Sequence, residues 1–152
     1  MYDVLKFIHV LSVIIFLGNI TIGIFWKAHA EKKKDPKEIA FTFQGIIKAD
    51  RIFTMPAIFG ILIGGFGAAG VHFMSVSGTP WILWSFILLI ISGAAFMAKV
   101  VPAQKKIFAL ASDESKFTWD EYHKLVKDWN LWGTIATVAP YIALILMIFR
   151  PS

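Results

Sequence analysis

Two histidines stand in apolar surroundings, and the chemistry open to them frames what the chain could do. His9 lies in the run "KFIHVLSVIIFLGN" (6–19), and His72 comes near the end of a second apolar run, two residues before Met74. A neutral imidazole ligates haem iron or copper, and the thioether of Met74 is a further soft donor suited to copper. An ionisable ring inside a hydrophobic segment marks either a site or a hydrogen bond between helices. His29 and His123 fall in lysine-rich connections and read as solvated surface residues.

The elements that must position these rings follow from composition. Of the 152 residues 57% are hydrophobic and 16% charged, and the mean hydropathy is +0.68. Four apolar runs, 4–26, 53–74, 81–101 and 131–149, are each long enough to cross a hydrocarbon core of about 30 Å as a helix. The expectation is an all-α, integral-membrane four-helix bundle, a single four-span domain over 1–152. Ala28-His29-Ala30 imitates a signal-cleavage site, but the basic cluster follows the apolar run, so 4–26 reads as a span. Asp35-Pro36-Lys37-Glu38 and Thr118-Trp119-Asp120-Glu121 are helix-start signatures, and Thr79-Pro80 opens the third span. The helices should therefore project past the membrane, the second with a bend at Pro56. Behind Thr118, the apolar side is Trp119, Tyr122, Leu125, Val126 and Trp129.

The absence of cysteine excludes disulfides, thiolate metal sites, iron–sulfur clusters and thioether-linked haem. All but two of the 15 lysines and arginines lie in the connections between spans one and two and between spans three and four. That asymmetry predicts both connections inside and both termini outside, in a bacterial or archaeal inner membrane. It also accounts for the net charge of +5 through anionic inner-leaflet lipids, without nucleic acid. The two exceptions are Lys6 and Arg150.

Antiparallel spans bring His9 and His72 to similar depth. The His9 face continues through Ser12, Phe16, Asn19 and Gly23, and the His72 face through Ala69, Ala68, Gly65 and Ile61. Ser85, Ser92 and Lys99 form a polar stripe on span three, and Asn130, Thr134, Thr137 and Tyr141 one on span four, both expected to face inward. Asp50 and Arg51, at the inner mouth of span two, read as a structural ion pair. Three readings stand. The small residues, Gly60-x-x-x-Gly64 among them, serve close packing, with the histidines as interface residues. Alternatively His9 and His72 ligate haem b, with Gly65 and Ala68 making room for the porphyrin. Or His9, His72 and Met74 hold copper. A transporter would need ionisable groups along a path through the bilayer; Lys99 is the one charged candidate beside a span, and snorkelling explains it.

The stretches "HVLSVIIFLGN", "ADRIFTMPA", "VVPAQKKIFAL" and "WNLWG" resemble, in order and spacing, the small four-span proteins grouped with HemJ-type protoporphyrinogen oxidases and the membrane domain of CopD copper-resistance proteins. Within that group the chain looks most like a family of predicted integral membrane proteins. The resemblance implies haem b held by a first-span histidine, here His9, while the CopD likeness implies copper as the alternative. HemJ-type enzymes carry a Trp-Leu-His-x-Lys pattern in span three. Trp81-Ile82-Leu83-Trp84-Ser85 has neither the histidine nor the lysine, so protoporphyrinogen oxidation is not expected. The expected function is electron transfer or haem-based redox chemistry at the outer leaflet, with His9 and His72 as iron ligands. Ser12, Asn19, Ser85 and Tyr141 are the candidates for hydrogen bonds that orient those ligands. The partners this calls for are the lipid bilayer and a quinone or electron-transfer protein. A homo-oligomer and a cofactor-free structural or transport role stay open.

Overall fold

Every one of the four apolar runs lies on a helix, because a backbone in lipid must satisfy its own hydrogen bonds. The computed structural model describes all 152 residues, with no strands. Helix α1 spans Tyr2–Lys32; α2 (Pro36–Ala49) and α3 (Met55–Val71) form one continuous rod through a π-helical turn at Asp50–Thr54. The third rod is α4 (Pro80–Ala95), a second π turn at Phe96–Val100, and α5 (Val101–Ser112). Helix α6 covers Trp119–Phe149. A 31-residue helix is about 46 Å long, so the rods outreach the hydrocarbon core, as their capped starts require. Asp35 accepts from the Lys37 amide at 3.0 Å and Thr118 from the Glu121 amide at 3.2 Å.

The expected bend at Pro56 resolves into the π turn just before it. Proline lacks an N–H and crowds the preceding turn, and a π turn absorbs the misfit without breaking the rod. Pro102 stands in the same relation to the second π turn. The two turns lie at similar depth, one beyond the 14 residues of α2 and the other beyond the 12 residues of α5, counted from the lysine-rich connections.

Packing divides the molecule into two hairpins, α1 along α3 and α4 along α6. At the end bearing the lysine-rich connections (the basic end), α2 and α5 lock the hairpins together around a core of Ile39, Phe43, Ile107, Tyr122, Val126 and Trp129. At the end bearing the termini the hairpins part. There α3 and α4 meet through the edge of Phe66 on Phe86, ring centroids 5.1 Å apart. The resulting cleft is the largest concavity between the spans.

Gly60 and Gly64 do what their spacing suggested. A Cβ on Gly64 would stand 2.7 Å from the backbone of Leu5 and His9, and one on Gly60 would collide with the Ser12 side chain. Span two therefore seats directly on the backbone of span one.

Candidate functional site

The cleft has a volume of about 780 Å³, within the range of small-molecule and cofactor sites, and its walls come from α1, α3, α4 and α6. His9, His72, Met74, Gly65, Ala68 and Ser85 all line it. Its walls are otherwise mostly aliphatic and aromatic.

His9 is half-buried, and its Nδ1 lies 2.9 Å from the Ile61 carbonyl oxygen. A carbonyl only accepts, so Nδ1 carries the proton, and in the neutral ring Nε2 is the nitrogen with a free lone pair. Gly65 allows this: a Cβ there would come within 2.9 Å of Nδ1 and 3.0 Å of Cε1. His72 is held differently. It ends α3 at a cap in which the Phe73 amide donates to Gly70 and the Met74 amide to Ala69, with Phe73 at φ +54°. Its ring is exposed and meets Tyr2 edge-on, centroids 4.2 Å apart. Ser85 spends its hydroxyl on the Trp81 carbonyl at 2.6 Å, with the Ala143 carbonyl of α6 at 3.3 Å.

Three of the other expected site residues, Ser12, Tyr141 and Asn19, lie elsewhere. Ser12 is wedged against Gly60 between the first two spans. Tyr141 is exposed and shares a 2.7 Å hydrogen bond with Thr21, sealing the seam between α1 and α6. Thr134 is exposed too, bonded to the Asn130 carbonyl, so the span-four stripe does not face inward as a whole. Asn19 shares a helical face with His9 but sits ten residues on, about 15 Å along the axis, in a different cluster.

That cluster corrects the reading of Asp50. Arg51 is exposed and makes no ion pair with it. A one-residue step along a helix turns the side chain by about 100°, so neighbours in sequence point apart. Asp50 is buried instead, with Oδ1 accepting from Asn19 (3.1 Å) and Thr54 (3.0 Å) and Oδ2 from Gln104 (3.1 Å). Trp129 donates to Gln104 Oε1 at 3.1 Å, which fixes the amide with its NH2 toward Asp50. Beside it Lys27, also buried, pairs with Glu31 (3.1 Å) and donates to Asn130 (2.8 Å). The hydroxyl of Tyr122 closes this group on Glu31 at 2.7 Å.

Sequence reasoning gave Lys27, Gln104 and Trp129 no part in a site, since each looks like an ordinary residue of an amphipathic flank. It also set aside Lys6 and Arg150, which both line the cleft, Arg150 lying 5.3 Å over the Trp81 ring and Lys6 5.9 Å over Tyr2. Their signal was there: they are the two basic residues outside the lysine-rich connections.

Fold and site together define an all-helical integral membrane protein of four spans with a cofactor-sized cleft between its hairpins. The chain belongs to the family described as predicted integral membrane protein (DUF2269), whose profile matches residues 3–151. No curated protein and no solved structure matches it.

Proposed function

We propose that the cleft binds haem b, with His9 as the residue that would hold its iron; His72 lines the same cleft about two helical turns nearer the termini. The observation that carries this is the hydrogen bond from His9 Nδ1 to the Ile61 carbonyl. Metal-ligating histidines commonly donate their other ring nitrogen to a carbonyl or carboxylate, which fixes the tautomer and aims the lone pair. The surroundings fit the group as well: an apolar cleft of about 780 Å³, with glycine and alanine on the α3 wall and two cations, Lys6 and Arg150, among its lining residues. Those cations suit the propionate carboxylates of a haem. Haem b would supply a one-electron couple. The chain's own part is to hold the ring of His9, exclude water with aliphatic walls and balance the carboxylates.

Copper is the second reading, and a single ion would have to draw in His9 from about two helical turns away from His72 and Met74. A bare ion needs a small fraction of this volume, so the size of the cleft favours haem. The basic-residue asymmetry supports an orientation with the termini outside, in a bacterial or archaeal cell membrane, where a quinone or electron-transfer protein would be the partner.

Visible spectra of the purified protein, oxidised and dithionite-reduced, test the reading. The expected result is a Soret band that is lost in His9→Ala and kept in His72→Ala. A colourless protein holding stoichiometric copper would replace haem by copper. Neither cofactor, after expression with haem precursor and copper supplied, would leave the histidines as packing residues.

A further inference from the structure

A second cavity, of about 410 Å³, lies toward the basic end where all four rods meet, and it shares no lining residue with the cleft. Asp50, Asn19, Gln104 and Trp129 line it, and most of the remaining wall is apolar. Three glycines from three helices also line it, Gly23, Gly45 and Gly133, and a Cβ on any of them would meet no atom within 4 Å. The sequence therefore keeps this space open from three sides.

The charge balance around the cavity is uneven. Lys27 and Glu31 neutralise each other, and the Lys27 ammonium is further engaged by Asn130 and by the face of Trp129 at 5.7 Å. Asp50 has no cation within ion-pairing distance. Its three hydrogen bonds all come from neutral donors, Asn19, Thr54 and Gln104, and they occupy three of about four acceptor positions on a carboxylate. An ionised carboxylate accepts all three at once. Buried charges are ordinarily paired, because leaving one unpaired is costly. The partner that fits here is cationic, because it must answer a carboxylate. It is also organic and largely apolar, because the walls are hydrocarbon and indole, and Trp26 provides a face for a cation. Trp26 and Phe41 line the cavity and are also exposed on the outside of the bundle, which gives a lipid-dissolved molecule a lateral route.

We infer that this cavity is a binding site for a lipophilic organic cation, an amine or quaternary ammonium, with Asp50 as its counter-ion. The site is independent of whatever the cleft holds. Calorimetric titration of the purified full chain in non-ionic detergent with phenyltrimethylammonium tests it, with tert-butylbenzene as the neutral molecule of the same shape. The expected result is saturable one-to-one binding of the cation, no competition by tert-butylbenzene, and at least a tenfold loss of affinity in Asp50→Asn. Gly133→Leu, which fills the cavity and keeps the carboxylate, should abolish binding, whereas His9→Ala should bind as the wild type does. Undiminished binding in Asp50→Asn or in Gly133→Leu, or equal competition by tert-butylbenzene, would overturn the assignment.

Discussion

His9 can use its Nδ1 on the Ile61 carbonyl because residue 65, one turn further along α3, has no side chain. Gly65→Ala places a methyl group 2.9 Å from Nδ1, so the ring must tilt and its bond to Ile61 lengthens. Losing such an orienting bond costs about 10- to 100-fold in metal affinity, so haem titration of Gly65→Ala should show a weakening of that order. At the same scale, burial, and secondly the hydrogen bond and charge of Glu31, hold the Tyr122 phenol well above the usual tyrosine range. The folded protein thus keeps a proton that an unfolded chain sheds near about pH 10. A raised folded-state value contributes stability that is whole below that pH and declines as pH rises beyond it. Urea midpoints at pH 9 and pH 11 should fall for the wild type and fall less for Tyr122→Phe.

Helices α1 and α3 approach closely enough for Gly64 to touch the backbone of α1, and that closeness sets where the α3 wall of the cleft stands. Gly64→Ala pushes a Cβ onto backbone atoms that cannot swing away, an overpacking cost of about 1–3 kcal/mol. Gly70→Ala, also on α3 but facing open space, should be neutral or stabilising by up to about 1 kcal/mol, because alanine is the better helix former. Reversible unfolding in mixed micelles with increasing dodecyl sulfate separates the two. The π turns belong to this scale as well. The turn at Asp50–Thr54 brings Asp50 and Thr54 into one hydrogen-bonded pair and still delivers Pro56 to the second position of α3. The prolines were legible as perturbations; the π register was not, since a kinked α turn would accommodate the same missing N–H.

Across the whole molecule, packing is uneven by design: tight at the basic end, parted at the termini. Ile107 is fully buried in the basic-end core, so Ile107→Ala should cost about 2–5 kcal/mol of stability. Ile148 is mostly exposed at the cleft, and Ile148→Ala should leave the unfolding midpoint almost unmoved. The four spans, the capped starts at Asp35 and Thr118 and the buried side Tyr122–Val126–Trp129 could all be read from the chain, because each depends on neighbours within a few residues. His9 and His72 do line one cleft, but the matched depth expected of them does not hold: His9 is level with Gly64 and Gly65, while His72 is level with Tyr2, about two helical turns nearer the termini. What the chain by itself determined was therefore everything set by helical period and by the exclusion of polar backbone from lipid. Only the tertiary structure decided that Asn19 is engaged by Asp50 in a separate cluster, that Arg51 leaves Asp50 alone, and that Lys6 and Arg150 share the cleft. Those outcomes turn on the rotation and splay of one helix against another, which side chains more than 30 residues apart settle by contact.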